Sequence, residues 1–420
     1  MIERYKNDKA TSIWSEKSKL DKWLQIEKEH ITTLYYNKEV THYEYDQIIK
    51  SLPNEINEEH IEKWKMIEKS TKHDVAAFVD LLEGLVPEGS DTHIIPVVDV
   101  MIDKNPGRWI HYGLTSSDIL DTATSLQCLE SIRITNSLLS ELIYYINKLS
   151  KEYKHLSILG RTHGVAAELQ PISSVFDRWV SQLRRAHDSL LRCKEIVGVG
   201  KLSGATGNNT INSELYEQQT LDRLGLKRQL SSQIIPRDIY MDFFYGYLKV
   251  MTTVEKIAFD IRMYSQEFIG EMSESFSTGQ KGSSAMPHKK NPIGCENLFG
   301  MANLYKSYFI TAMNNCLTLF ERDISNSGPE RIIFEDSTHL VFYSLERLIK
   351  IIKNLVVNEE KINENINKVK DKINSQVILA NLIDEGYSRK EAYNIVKEIS
   401  HIGFEETVEK YNVDVSLLKI

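Results

Sequence analysis

Long runs of apolar residues at helical spacing dominate this chain from about Ser117 onward. After Pro171, which we expect in the first turn of a helix, apolar side chains recur every three or four residues. The recurring sets are Leu138, Leu142, Ile146 and Leu149; Val175, Trp179, Leu183, Ala186 and Leu190; Leu248, Met251, Val254, Ala258 and Ile261; and Val341, Leu345, Leu348, Ile352 and Leu355. This spacing places each set on one face of a helix that other helices must cover. The sequence therefore predicts an all-α fold with a bundle of long helices.

The chain is long enough for more than one domain. Its 420 residues, 41% of them hydrophobic, exceed what one core usually serves, so two or three domains are expected. The clearest change of composition is the Asn-, Lys- and Glu-rich segment 358–375, which fits a domain boundary and a solvated helix within one domain equally well. Residues 94–102 are the best strand candidate, although Pro96 argues against a strand there.

Charge and cysteine content exclude several classes of protein. Lys and Arg total 51 against 59 Asp and Glu, for a net charge of -8, so we expect no nucleic-acid-binding surface. No apolar run approaches the ~18 residues of a membrane helix and the charged first residues lack a signal-peptide core, so we expect a cytoplasmic protein. The four cysteines are far apart, and CxxC and HExxH are absent, so we expect reduced structural thiols without a metal site.

A glycine-rich segment, GVGKLSGATGNN at residues 198–209, resembles a phosphate-binding loop only superficially. Its glycines have the spacing GxGxxxG, Lys201 is followed by leucine, and a helical pattern rather than a strand pattern precedes it. Both nucleotide-loop motifs therefore fail, and a turn between two long helices is the better interpretation.

The polar segment GSSAMPHKKNP, residues 282–292, interrupts the helical patterns. Asn291 followed by Pro292 predicts the N-cap and the first position of a helix. The free amides and the positive dipole end of that helix, assisted by two lysines, favour an anion. An anion-binding loop is one interpretation, and an exposed turn with incidental charge is the alternative.

Seven motifs occur along the chain: MIERY, KHD, HYGLTSSD, GRTHGVAAE, SSQIIPRD, GSSAMPHKKNP and ERDISNSGPER. In this order they resemble the motifs of the aspartase/fumarase superfamily, whose members cleave C–N or C–O bonds by β-elimination and release fumarate. Within the superfamily the chain is most similar to the bacterial type of the adenylosuccinate lyase family. The RY pair and the ERDISNS segment distinguish this family from argininosuccinate lyases and fumarases. One departure is a longer connection between KHD and HYGLTSSD, with residues 84–108 as the insertion.

The resemblance implies a three-domain fold. An N-terminal helical domain (1–112) would precede a central long-helix bundle (113–355) that carries the signature loop 279–292, and a small helical domain (356–420) would follow. The central bundles would form the core of a homotetramer whose active sites are shared between subunits. The implied substrates are the small molecules adenylosuccinate, cleaved to AMP and fumarate, and the succinylaminoimidazole carboxamide ribotide SAICAR, with no cofactor, metal, nucleic acid or membrane involved.

The resemblance also implies catalytic roles. Ser283 would remove a proton from the succinyl Cβ, and His163, oriented by Glu296, would protonate the departing nitrogen, each transfer contributing ~10²–10⁴-fold. Because serine is a poor base, the loop amides and Lys289 would have to stabilise its alkoxide. From the residues alone, Ser283 fits a turn serine, His163 a helix-start histidine and Glu296 a partner of the helix dipole.

Further residues follow from the same resemblance. The catalytic set is completed by His111 and His73. The substrate-binding set is Arg4, Tyr5, Lys72, Asp74, Thr115, Ser116, Gln233, Ser284, Met286, Asn291, Asn297, Arg322, Ser327 and Arg331, with the arginines suited to a phosphate. Taken alone, the TSSD run would be a helix N-cap, and Arg322 would form a surface ion pair with Glu321 or Asp323.

Two rival functions stay open at the level of the sequence. An argininosuccinate lyase would keep the GSSAMPHKKNP loop but would need no cluster of phosphate ligands. A non-enzymatic protein on the same scaffold is the second rival. The joint retention of Ser283, His163, Lys289 and Glu296 argues against it.

Overall fold

The computed structural model describes residues 1–87, 105–276, 279, 286, 288–370, 373–402 and 404–411. Its first helices are α1 (Asp8–Trp14), α2 (Glu16–Tyr36), α3 (His42–Ser51), α4 (Glu58–Thr71) and α5 (Asp74–Glu83), with short 3-10 turns at Glu3–Tyr5 and Pro106–Trp109. The middle of the chain contains α6 (Ser116–Glu152), α7 (Ser173–Val197), α8 (Glu214–Leu224), α9 (Arg237–Tyr264), α10 (Ile293–Asn314) and α11 (Ser327–Lys353). The last helices are α12 (Glu359–Asn367), α13 (Ser375–Asp384), α14 (Arg389–Ile402) and α15 (Phe404–Tyr411). The predicted, predominantly helical fold class is confirmed.

The apolar faces predicted for the long helices are buried. Every residue of the four sets is buried except Leu248, which is half-buried. Burial of each such side chain is worth about 1.5–3 kcal/mol, which explains why the periodicity predicted these helices. The expected position of Pro171 was wrong, because α7 begins at Ser173 and the proline ends the preceding strand. None of the described helices has the length and apolar content needed to cross a membrane.

The chain divides into two compact units, each built from three separate segments. Unit 1 comprises Met1–Leu139, Arg185–Thr252 and Gly300–Glu346, and unit 2 comprises Ser140–Arg184, Thr253–Phe299 and Arg347–Ile420. The boundaries between these segments lie inside long helices rather than in linkers, so no change of composition marks the boundaries. The three domains divided at residues 112 and 355 stay a prediction.

An aromatic cluster lies at the centre of the helical core of unit 1. The ring of Trp23 on α2 meets Trp64 on α4 at 6.4 Å and Phe78 on α5 at 5.4 Å, both nearly perpendicular. All three side chains are buried and belong to one apolar cluster. Such edge-to-face pairs add about 0.5–1.5 kcal/mol each beyond area burial. The cluster fixes α2 and α5, which carry residues of the candidate site.

Short strands occur between the helices. β1 (Ser157–Thr162) and β2 (Val165–Pro171) form an antiparallel hairpin, β3 (Val199–Gly200) pairs in parallel with β4 (Lys227–Arg228), and β5 (Met272–Ser273) is antiparallel to β6 (Val356–Val357). The hairpin contains the GRTH motif. No alternation of apolar and polar residues marks it, which is why the sequence does not predict it.

The candidate strand at 94–102 lies outside the described residues, as does most of the insertion at 84–108. The ends of the insertion are described. Val86 is buried, and the Asn105 side chain accepts a hydrogen bond from the Gly107 N–H at 2.8 Å. Asn105 thereby caps the 3-10 turn that leads into the HYGLTSSD motif.

Candidate active site

The KHD motif forms the tight connection between α4 and α5 in unit 1. Lys72 ends α4 in the left-handed conformation, with φ of 55°. His73 is the N-cap of α5, and its Nδ1 accepts a hydrogen bond from the Ala76 N–H at 3.3 Å. Asp74 is the first residue of α5, and its Oδ2 accepts from Arg331 Nη2 at 3.0 Å. The motif is therefore joined to the ERDISNSGPER segment, far away in sequence.

One pocket of unit 1, with a volume of about 320 Å³, gathers part of the predicted substrate-binding set. Its lining includes Asp74, Arg322, Ser327 and Arg331. A volume of this size is at the lower end of pockets that hold small ligands. It is not lined by Arg4, Tyr5, Lys72, His73, His111, Thr115, Ser116 or Gln233.

The ERDISNSGPER segment turns into α11 beside this pocket. Arg322 Nη1 donates to Asn326 Oδ1 at 3.1 Å, and Asn326 Nδ2 donates to Glu330 Oε2 at 2.8 Å. Asp323 instead accepts from backbone N–H groups, chiefly that of Leu319, which lower its pKa to about 2. The surface ion pair considered for Arg322 is therefore absent from the described residues, because Asn326 binds its guanidinium.

A buried network of charges forms part of the lining of the pocket. Arg237, with a side chain only 4% exposed, donates to both Asp121 oxygens at 2.7 and 2.9 Å and to both Glu330 oxygens at 3.1 and 3.2 Å. The Tyr240 hydroxyl donates to the Asp121 carbonyl at 2.8 Å. Burial raises the pKa of Glu330, while Arg237 opposes that shift. The network joins the starts of α9 and α11 to α6.

Lys19 also lines the pocket, although no motif contains it. Its ammonium lies 5.1 Å from the centre of the Trp23 ring and 4.8 Å from that of Trp64. Burial lowers the pKa of Lys19, and the nearby Asp74 opposes that shift. Because aromatic faces attract cations, the two tryptophans hold this charge at the pocket wall.

The HYG turn is held by side chains outside the recognised motifs. Glu27 Oε2 accepts from the backbone N–H of His111 at 2.9 Å, and Glu27 Oε1 is 2.7 Å from His111 Nδ1. His30 Nε2 and Asn212 Nδ2 donate to the Tyr112 carbonyl at 2.9 and 3.0 Å. His111 adopts φ of 60°, a left-handed conformation that a side chain keeps only when its surroundings fix it.

The TSSD run begins α6, as the sequence predicts. Asp118 Oδ2 accepts from the Thr115 N–H at 2.7 Å and from the Gly204 N–H at 3.2 Å. Its other oxygen pairs with Lys201, and both side chains are fully buried. The lysine of the glycine-rich segment is therefore a structural partner of this helix start. That segment joins α7 to the short helix α8 rather than to a second long helix.

The other substrate-binding candidates of unit 1 do not line the pocket. The Gln233 side chain donates to the Ala205 carbonyl at 3.0 Å. The Tyr5 ring meets Tyr343 edge-on at 5.1 Å, and Arg4 is exposed beside it. An exposed arginine at this turn is accessible to a ligand.

His163 occupies the tip of the β1–β2 hairpin in unit 2, with φ of 54° and an exposed side chain. The alternative of a helix-start histidine was therefore wrong. Two residues earlier, Arg161 donates to both oxygens of the fully buried Glu271 at 2.8 and 2.6 Å. Asn365 Nδ2 donates to the same carboxylate at 2.9 Å. These bonds anchor the hairpin close to its tip.

Ser283 and Ser284 lie outside the described residues. Met286, Lys289 and Glu296 are exposed, and Asn291 and Asn297 are half-buried. Helix α10 begins at Ile293, and the Pro292 carbonyl accepts from the Glu296 N–H at 3.0 Å. The helix therefore starts one residue later than predicted. No hydrogen bond or ion pair joins His163 to Glu296 in the described part of the chain.

The amides at the start of α10 are bound by Glu274. Its two oxygens accept from the N–H groups of Gly294 and Cys295 at 3.1 and 2.6 Å. A Cβ at position 294 would lie 2.5 Å from this carboxylate, so a larger residue there would displace the Glu274 side chain. The prediction that these amides are free for an external anion was wrong, because the chain supplies its own carboxylate to them.

A family model of lyases matches residues 3–304. Solved structures share the fold: a fumarate lyase from Mesorhizobium sp. BNC1 (TM-score 0.81, 17% identity, covering 100% of this chain and 90% of its own) and a β-carboxy-cis,cis-muconate cycloisomerase from Acinetobacter calcoaceticus (TM-score 0.79, 18% identity, covering 98% and 93%). Together with the motifs, the family match places the chain among the lyases of the aspartase/fumarase superfamily.

Sequence relatives narrow this class. An adenylosuccinate lyase from Thermotoga maritima is 36% identical over 401 residues, which cover 94% of this chain and 87% of the relative. Another from Bacillus subtilis is 33% identical over 423 residues, which cover 97% and 90%. The chain belongs to the adenylosuccinate lyase family, and is therefore a C–N lyase.

Proposed function

We propose that this enzyme eliminates fumarate from adenylosuccinate, giving AMP, and from SAICAR, giving the corresponding aminoimidazole carboxamide ribotide, in purine nucleotide synthesis. The observation that carries the proposal is the unit 1 pocket lined by Arg322, Ser327 and Arg331. Guanidinium groups bind phosphate through paired hydrogen bonds, and a hydroxyl adds a further donor. The nucleotide end of the substrate would bind there, with Arg4 and Tyr5 completing its contacts.

Arg331 can serve this role while it stays bound to Asp74. Its side chain is 66% exposed, and one terminal nitrogen, Nη2, makes the 3.0 Å contact with the carboxylate. The guanidinium has further N–H groups available to a phosphate. Asp74 would therefore orient the Arg331 guanidinium while leaving some of its N–H groups available to the phosphate.

The elimination requires two proton transfers. Ser283 would take the proton from the succinyl Cβ, and Lys289 would stabilise the serine alkoxide and the charge that spreads into the adjacent carboxylate. His163 would donate a proton to the departing nitrogen as the C–N bond breaks. Thr115, Ser116 and other polar loop residues would hold the succinyl carboxylates.

We further propose a cytoplasmic homotetramer with active sites shared between subunits. Glu296 is the candidate partner of His163, and no bond joins the two within the described chain, so a second copy would supply the carboxylate. Exposed apolar side chains on α9 and α10 support such a core: Tyr245, Phe259, Leu304, Ile310 and Met313 are 41–57% exposed. The predicted domains 1–112, 113–355 and 356–420 belong to the same proposal.

The test is incubation of the purified chain with adenylosuccinate while fumarate and AMP are measured. Equimolar release of both products is expected, and Ser283→Ala should reduce the rate by at least about 10²-fold while substrate still binds. Argininosuccinate serves as the matched rival substrate, because it has no phosphate for the unit 1 pocket. Cleavage of argininosuccinate without cleavage of adenylosuccinate would overturn the proposal.

A further inference from the structure

Glu27 is a carboxylate whose two oxygens bind a single residue. Its side chain is fully buried, and the oxygens accept from the backbone N–H and from Nδ1 of His111, 84 residues away. Removing a carboxylate from water is costly unless it gains hydrogen bonds and a positive partner. His111 supplies both, so the position of Glu27 is tied to that histidine.

Helix α2 presents two polar side chains to successive residues of the HYG turn. Glu27 binds His111, and His30, three residues later, binds the Tyr112 carbonyl through Nε2 at 2.9 Å. Because a carbonyl can only accept, Nε2 of His30 carries the donated proton. Burial lowers the pKa of this ring. The core face of α2 thus fixes both the backbone of the turn and the ring of His111.

We propose that Glu27 is a positioning residue that holds the His111 ring by Nδ1 and thereby presents Nε2–H as a fixed donor to an anionic group of the substrate. Nε2 has no hydrogen-bond partner among the described residues, and the His111 side chain is 18% exposed. This inference rests on the proposed function, which assigns His111 to the active site. The catalytic contact is that of His111, and Glu27 acts through it.

The surrounding charges support a protonated ring. Burial alone would favour neutral His111, but the Glu27 carboxylate outweighs it and raises the pKa, with Asp118 acting in the same direction. The neighbouring histidine on α2, His30, has a pKa that burial lowers. A positive His111 can donate from both ring nitrogens, one to Glu27 and one to the substrate.

The experiment compares Glu27→Gln, His111→Gln and the double variant in the full-length enzyme, with Glu29→Gln as the matched control on the same helix. Turnover of adenylosuccinate is measured alongside the His111 ring nitrogens by NMR of ¹⁵N-histidine-labelled protein, assigned with His111→Gln. Glu27→Gln should lower the pKa of His111 and reduce kcat/KM by at least roughly tenfold. In the His111→Gln background, Glu27→Gln should reduce kcat/KM by no more than about a further twofold. Glu29→Gln should leave both kcat/KM and the pKa of His111 unchanged.

An unchanged pKa of His111 in Glu27→Gln, or independent losses that multiply in the double variant, would overturn the inference. If Glu27→Gln does not fold, the ¹⁵N spectrum of the wild-type protein tests the inference. A neutral His111 ring without a proton on Nδ1 would contradict a hydrogen bond from Nδ1 to Glu27. Failure of the proposed function looks different. In that case the wild-type enzyme does not cleave adenylosuccinate, while the response of the His111 pKa to Glu27→Gln is still measurable.

Discussion

Arg331 on α11 and Asp74 at the start of α5 form an ion pair of 3.0 Å on the lining of the unit 1 pocket. The pair joins segments that are 257 residues apart in sequence. Because the Arg331 side chain is largely exposed, the pair adds little to stability, about 0–1 kcal/mol. Its importance is the orientation of a guanidinium at a ligand pocket.

Replacement of Arg331 should therefore affect binding more than folding. Arg331→Ala is expected to raise KM for adenylosuccinate by roughly 10–100-fold, the equivalent of a charge-assisted hydrogen-bond pair, with a smaller change in kcat. Arg331→Lys keeps the charge but loses the paired N–H donors of the guanidinium. It should therefore recover only part of the substrate affinity that Arg331→Ala loses. Steady-state kinetics measure both. A KM equal to the wild-type value in Arg331→Ala would remove Arg331 from the phosphate site.

The helices could be predicted from the sequence because their signal is local. An apolar residue every three or four positions needs only one face to be buried, and the faces of α6, α7 and α11 are buried as expected. The β1–β2 hairpin could not be predicted in this way. Its strands have mixed exposure, and the Arg161 side chain on β1 binds the buried Glu271, a contact that no periodic pattern reveals.

The motifs likewise identify loops but not the side chains that hold them. Glu27 and His30 bind the HYG turn from α2, and neither belongs to a motif. Their signal was present nonetheless: a carboxylate and an imidazole interrupt the buried stripe of Trp23, Leu24 and Ile31. Polar groups at core positions need partners, but the sequence cannot name a partner 84 residues away.

The buried pair of Lys201 and Asp118 provides a test of stability. Lys201→Met leaves the Asp118 carboxylate buried without its cation and should destabilise the protein by about 3–5 kcal/mol. The double variant Lys201→Met with Asp118→Leu removes both charges and should recover much of that loss. Thermal and urea unfolding measure the difference. Equal destabilisation of the single and double variants would contradict an energetically coupled pair.

The stability of the protein should depend on pH through His111. Its pKa in the folded chain is raised, so its contribution is fully present below the unfolded value of about 6.5 and is lost as pH rises through the folded value. The Tm of the wild-type protein should therefore exceed the Tm of His111→Gln by a larger margin at pH 6 than at pH 9. His155→Gln is the control, an exposed histidine just after the end of α6. A Tm difference that is constant across this range would show that His111 does not titrate on unfolding.

Glu274 offers a test of how the start of α10 supports the signature loop. Glu274→Gln keeps the shape of the side chain but removes the charge that faces two helix amides, so a loss of about 0.5–2 kcal/mol is expected. Glu267→Gln, an exposed change on a neighbouring turn, is the matched control and should be neutral. The loop that bears Lys289 leads into α10 at these amides. The fall in kcat should therefore be larger than the loss of folded protein alone would cause. Reduced stability with an unchanged kcat would limit Glu274 to capping the helix.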